Sequence, residues 1–256
     1  MRAPDELRDA VEAYLGALPF APELGRLEEA LRYALESGGK RIRPVLCLAV
    51  AEAAGGSVED TLPAAAAVEL VHTFSLVHDD LPALDDDAER RGRPSAHVAF
   101  GEGVALLAGD ALLAEAFRLV LTYEDPRLAR ELVAATLGMI GGQHRDITGD
   151  DADLAELHRL KTGRLFSASV GLGLRAAGVP EEEQPAWRAF GDELGLLFQV
   201  VDDILDEDGF AIRLGVEAAR RLADEAAERA RERLRAIPSD TSVLRELVDG
   251  LAVRTG

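Results

Sequence analysis

Residues 62–87 read LPAAAAVELVHTFSLVHDDLPALDDD. From Leu62 to Leu76 the run is apolar on nearly every side of a helix, which places it at the centre of a bundle rather than on its surface. It ends in Asp79-Asp80 and then, beyond Pro82, in Asp85-Asp86-Asp87. A second run of the same design, Phe190–Leu205, carries Asp202, Asp203 and, one residue on, Asp206. Adjacent carboxylates at the end of an apolar helix repel one another and resist dehydration, so each cluster requires compensation. Asp202 and Asp206 are four residues apart and project from one helix face. Pro82 and the extra residues break that spacing in the first cluster, so the chain must bulge before Asp85 returns to the site.

Outward from these two runs the pattern stays helical. Ala, Leu, Glu and Arg dominate, and apolar residues recur at three- and four-residue spacing, as in Leu27, Leu31 and Leu35 or Leu214, Ala218 and Leu222. Turn signals fall at 19–22, 37–39, 55–57, 82–94, 101–103, 125–126, 148–153, 178–180, 208–209 and 238–241. They leave about ten helical segments, and no stretch reads as a strand. With no internal repeat and no low-complexity linker, residues 1–256 read as one all-α domain, a helical bundle.

Composition narrows the function. A formal charge of -19 and a pI near 4.6 argue against nucleic acid as a partner, because phosphate binding needs a basic face. One cysteine, Cys47, fits a reducing cytoplasm. No apolar run reaches the ~20 residues of a membrane span, and the N-terminal stretch has no apolar signal core. The 28 basic residues comprise 26 arginines and two lysines, Lys40 and Lys161. A chain that uses arginine almost everywhere marks those two positions as sites where a compact ammonium is wanted.

Cations lie in places that match the acids. Residues 37–44, SGGKRIRP, set Gly38 and Gly39 beside Lys40, Arg41 and Arg43, a segment suited to wrapping a diphosphate. Arg90, Arg91 and Arg93 follow the first acidic cluster directly, and Lys161-Thr162-Gly163 lies mid-helix. Together these describe phosphorylated substrates held by cations on one side and metal-loaded aspartates on the other. Hard divalent ions are the natural fit, since Mg²⁺ binds one or two carboxylates plus phosphate oxygens and water.

The order GGKRIRP, HTFSLVHDDLPALDDDAERRGRPSAH, LLAGDALL, GGQ, KTG and FQVVDDILD resembles that of the trans-prenyl diphosphate synthases, of the short-chain bacterial farnesyl or geranylgeranyl type. The resemblance runs from about Leu27 to Asp206. It implies mostly antiparallel helices around a deep central cavity, usually in a homodimer. It also implies head-to-tail joining of isopentenyl diphosphate to an allylic diphosphate, with Mg²⁺ (three ions, Mn²⁺ able to substitute). Asp79, Asp85 and Asp202 would ligate metal, with Asp80, Asp203 and Asp206 as helpers. Arg90, Lys161, Thr162 and Gln199 would hold the allylic diphosphate or face the charge that develops beside it. Gly39, Lys40, Arg43, His72 and Arg91 would bind isopentenyl diphosphate. An aromatic residue at Phe74, with the Pro82 insertion, goes with a farnesyl product, and a smaller residue there with geranylgeranyl.

The sequence departs from this pattern in one place. Members follow the second motif with a mobile loop carrying Gly-Lys-Asp, whereas Asp206 here runs through Glu207-Asp208-Gly209-Phe210 into a helix expected over Ala211–Ile237. Arg213 is the cation nearest to replacing the missing lysine. The shortening raises the alternative of a weakly active partner subunit in a heteromeric synthase. A terpene cyclase is disfavoured, because it has no use for GGKRIRP and carries a different second metal motif.

Overall fold

The computed structural model describes residues 1–36, 38–149 and 154–253. Among these the chain is all-α apart from one two-residue hairpin. Helices α1 (Pro4–Ala17), α2 (Glu28–Leu35) and α3 (Ile42–Ala53) lead into the long α4 (Val58–Asp79). Helices α5 (Ala96–Phe100), α6 (Glu102–Val120), α7 (Pro126–Thr148) and α8 (Leu154–His158) follow. A π-helical turn, Arg159–Gly163, joins α8 to α9 (Arg164–Ala176). The chain closes with α10 (Pro185–Asp206), α11 (Gly209–Leu214), α12 (Val216–Arg235) and α13 (Ser242–Ala252).

The two apolar runs are the central helices, as their composition requires. Helix α4 packs against α3, α6 and α9, and α10 packs against α9 and α12. Ala64 to Val71 are all buried, as are Leu194, Leu197, Val200 and Val201. Ser57 starts α4 by accepting a hydrogen bond from the Asp60 amide, and Asp125 caps α7 in the same way through Arg127. No described helix is long and apolar enough to cross a membrane.

Three expectations need correction. Glu89–Arg90 pairs antiparallel with Arg93–Pro94, so a hairpin stands where no strand was expected. Two-residue strands are too short to show alternation. The usable signal is the Arg91-Gly92 loop, both residues at positive φ, as tight hairpins demand. The helix expected over Ala211–Ile237 is cut at Gly215, whose φ of 83° no helix accommodates. Lys161-Thr162-Gly163 sits in the π turn rather than in regular α-helix. Of the expected breaks, residue 37 and residues 150–153 lie outside the described residues.

Candidate active site

Helices α4, α7, α9 and α10 enclose a cavity of about 430 Å³. Polar side chains of Asp79, Asp202, Arg43, His72, Lys161, Thr162 and Gln143 line it together with apolar ones, Phe74, Leu84, Met139, Ile140 and Leu165. An acidic motif reaches it from each central helix, with Asp79 the last residue of α4 and Asp202 near the end of α10. At the first, the Asp85 amide donates to the Asp79 carbonyl at 2.9 Å, and Asp86 adopts φ 53°. That is the bulge Pro82 requires, and it returns Asp85 to the neighbourhood of Asp79. Burial pushes the Asp79 carboxyl up to about 6, with Lys161 opposing and Asp85 adding to the rise. Asp202 is exposed at its surface, and the protein packed around its carboxyl, with Asp206, raises it against the pull of Arg43 and Lys40.

The second aspartate of each pair faces elsewhere. Asp80 is buried and accepts from Arg90 at 2.6–2.9 Å. Asp203 is buried, accepting from the Gln199 amide at 2.5 Å and the Phe210 backbone at 2.8 Å, with His158 Nε2 at 3.4 Å. Asp80 and Asp203, expected as metal helpers, are therefore engaged by the protein. Gln199 and Arg90, expected at the allylic diphosphate, are the partners that engage them. Asp85 and Asp206 are exposed and do not line the cavity wall.

The cationic side is assembled from three segments. Arg43 is half-buried over the rings of Phe166 and Phe198, at 4.7 and 5.3 Å, with its Nε buried and without a partner. Desolvation lowers its pKa to about 10, and it lies 3.4 Å from His72 Nε2. His72 is driven well below the usual imidazole value by burial and by Arg43. The hairpin brings Arg91 onto the glycine loop, where its guanidinium donates to the Gly38 carbonyl. A Cβ on Gly39 would stand 2.7 Å from that guanidinium, so the glycine permits the approach. Lys40 is exposed and acts on the charge of Asp202.

Lys161 reaches Asp146 at 2.5 Å. The π turn that carries it is pressed against α7, since a Cβ on Gly142 would lie 2.7 Å from the Lys161 backbone nitrogen. Such turns displace side chains that a regular helix would leave in register.

Two groups escaped the sequence reading. Arg41 is not a ligand cation. It sits at φ 47° before α3 and is buried, bonded to Glu69 at 2.5 Å, Glu12 at 2.8 Å and the Leu35 carbonyl at 2.5 Å. Its signal was Glu69, an acid inside the most apolar helix, which demands a buried cation. Gln143 lines the cavity with both amide atoms buried and unpartnered. Only its place in GGQ pointed to it.

The chain matches the family model described as polyprenyl synthetase over residues 25–223. The chain belongs to the polyprenyl synthetase family. Geranylgeranyl diphosphate synthase from Cyanophora paradoxa is 41% identical over 215 residues, which cover 78% of this chain and 71% of that protein. Farnesyl diphosphate synthase from Bacillus subtilis is 42% identical over 204 residues, 74% of this chain and 69% of that one. A crystal structure of an FPP/GFPP synthase from Zymomonas mobilis superposes with a TM-score of 0.86 at 32% identity, covering 97% of each chain.

Synthases of this family depend on magnesium. The donor set fits such an ion. Among the described residues no three His, Cys, Asp or Glu side chains converge closely enough to hold a metal alone. Asp79, half-buried, and Asp202, exposed, instead both line the cavity, which suits a hard cation that completes its shell with diphosphate oxygens and water.

Proposed function

We propose that this prenyltransferase joins isopentenyl diphosphate head to tail to an allylic diphosphate, dimethylallyl or geranyl, and that farnesyl diphosphate is its main product. One observation carries the reading: Asp79 and Asp202 line one cavity with Arg43 and Lys161, and apolar side chains, Phe74 among them, line the same cavity. A charged head and a hydrocarbon tail have a place in the same space.

In this reading Asp79, Asp85, Asp202 and Asp206 hold three Mg²⁺ ions, with Mn²⁺ able to substitute. Bound there, the ions supply neutralising charge for a diphosphate leaving group. Lys161 and Thr162 orient the allylic diphosphate, and Gln143 directs its unpartnered amide at the same end. Lys40, Arg43, His72 and Arg91 hold isopentenyl diphosphate, with its double bond facing the allylic carbon. The allylic C–O bond breaks and its electron pair leaves with diphosphate. The double bond then attacks the allylic cation, and a proton passes to the departed diphosphate. Positioning and electrostatics do the catalytic work, and no side chain acts as nucleophile. His72, held neutral, contributes a hydrogen bond rather than charge.

Phe74 is 6% exposed and lines the cavity, and in this reading it is the floor, because a packed ring cannot yield to extra methylenes without strain. Geranylgeranyl diphosphate is the second reading, favoured by relatives of that name at similar identity. A partner-subunit role is the third. The turn after Asp206 is tight, with Phe210 already bonded to Asp203, and leaves no room for the Gly-Lys-Asp loop.

We place the protein in the cytoplasm as one domain and a homodimer. Support for the dimer is the apolar exposure of two neighbouring helices, with Leu107 on α6 54% and Leu137 on α7 64% exposed. Incubation with labelled isopentenyl and allylic diphosphates, with products resolved by length, tests the function. A fifteen-carbon product that requires Mg²⁺ is expected. No elongation with any allylic starter, or elongation in excess chelator, would overturn it. Sedimentation of the native chain tests the dimer.

A further inference from the structure

His78 and Gly109 form a contact that the proposed chemistry does not use. His78 follows Phe74 by one turn on α4, and its ring stands edge-on to Phe74 at 5.4 Å and 83°. In the Nε2–H tautomer it donates to the Leu106 carbonyl of α6 at 3.0 Å, with the Asp110 carboxylate 3.9 Å away. Room for it comes from Gly109, which is buried in α6. A Cβ there would meet His78 Nε2 at 2.1 Å and Cδ2 at 2.3 Å. Glycine inside a helix is conformationally costly, so its place here marks a need for space. Both Phe74 and His78 line the cavity.

We propose that His78, seated on Gly109 and tied to α6, is a positioning residue that holds the Phe74 ring across the apolar end and so sets product length. The proposal rests on Phe74 being the floor. Phe74 alone on a helix face could rotate to admit a longer tail. An imidazole locked to α6 closes that side. Removing the ring frees Phe74 to swing into the vacated space, which deepens the cavity. Adding a methyl at Gly109 evicts the ring from α6 toward the cavity it already lines, which shortens the path. The two substitutions therefore move product length in opposite directions, and the second acts only through the first.

The test compares product lengths from the parent, His78→Ala, Gly109→Ala, the double variant and Phe74→Ala, each first checked for helicity by circular dichroism. His78→Ala is expected to raise the fraction of product one five-carbon unit longer by about tenfold, and Gly109→Ala the shorter fraction by a similar factor. The double variant is expected to match His78→Ala, because no ring remains to evict. If Gly109→Ala does not fold, His78→Ala alone decides. A parental distribution from His78→Ala, or from folded Gly109→Ala, while Phe74→Ala lengthens the product, leaves the floor in place and overturns the role of His78. A parental distribution from Phe74→Ala removes the floor and this proposal with it. A Gly109→Ala effect that persists in the double variant also overturns it.

Discussion

The two acidic motifs end equivalent helices, and each splits its aspartate pair in the same way. Asp79 and Asp202 face the cavity; Asp80 and Asp203 are turned into the protein. They differ in what receives the inward carboxylate. Asp80 meets a full charge, Arg90, delivered by the hairpin. Asp203 meets an amide, a backbone N–H and a half-buried histidine. A charged clamp reaches across sequence and anchors the hairpin that also carries Arg91. The second, mostly neutral clamp folds a short turn onto its own helix end and also meets His158 of α8. A Cβ on Gly209 would lie 2.2 Å from the Asp203 carboxylate, so that turn has little freedom. One motif thus organises the substrate-facing hairpin, and the other its own helix end together with the end of α8.

The sharpest break of this comparison separates outward from inward carboxylates. Asp79→Ala and Asp202→Ala are expected to lower turnover by about two to three orders of magnitude or more, with helicity unchanged. Steady-state kinetics beside circular dichroism check it, and undiminished turnover in either variant removes its aspartate from the site. Next comes the charged clamp. Asp80→Ala leaves Arg90 half-buried with only the more distant Asp87 carboxylate, 3.9 Å away, which should cost about 3 kcal/mol in denaturant unfolding.

Glu131 sharpens the same point away from the cavity. Burial raises its pKa, but hydrogen bonds from Arg188 and Arg175 outweigh that and hold it below its ordinary value. A depressed carboxyl stabilises the fold above its unfolded pKa and loses that contribution as pH falls through the folded one. Glu131→Ala is therefore expected to lose about 3 kcal/mol at neutral pH and to flatten the acid limb of the stability profile, leaving product length unchanged. Thermal melts from neutral pH down to pH 3 check both limbs.

The lysines divide between the motifs, Lys161 acting on Asp79 and Lys40 on Asp202. Each alanine variant should weaken one substrate by about 1.5–3 kcal/mol, the allylic diphosphate for Lys161 and isopentenyl diphosphate for Lys40. Varying each substrate separately distinguishes them, and unchanged parameters in both would make the lysines incidental. The smallest effect is expected at the neutral clamp. Asp203→Asn keeps one acceptor and should cost about 1–2 kcal/mol of stability. A loss equal to that of Asp80→Ala would erase the distinction between the clamps.

Sequence alone determined the helical class, the two central helices and the acidic ends they carry. Hydrophobic periodicity and the cost of burying charge are local properties that the order of residues expresses directly. It also marked the bulge at Pro82, because proline constrains its own backbone wherever it stands. Tertiary structure alone decided which aspartate of each pair faces the cavity, since that depends on partners ten residues away for Asp80 and in another helix for Asp203. The same holds for Arg41, a cation by sequence and a buried strut in space, and for the seat that Gly109 gives His78. Such choices are made by space and counter-charge between segments distant in sequence, and no spacing along the chain encodes them.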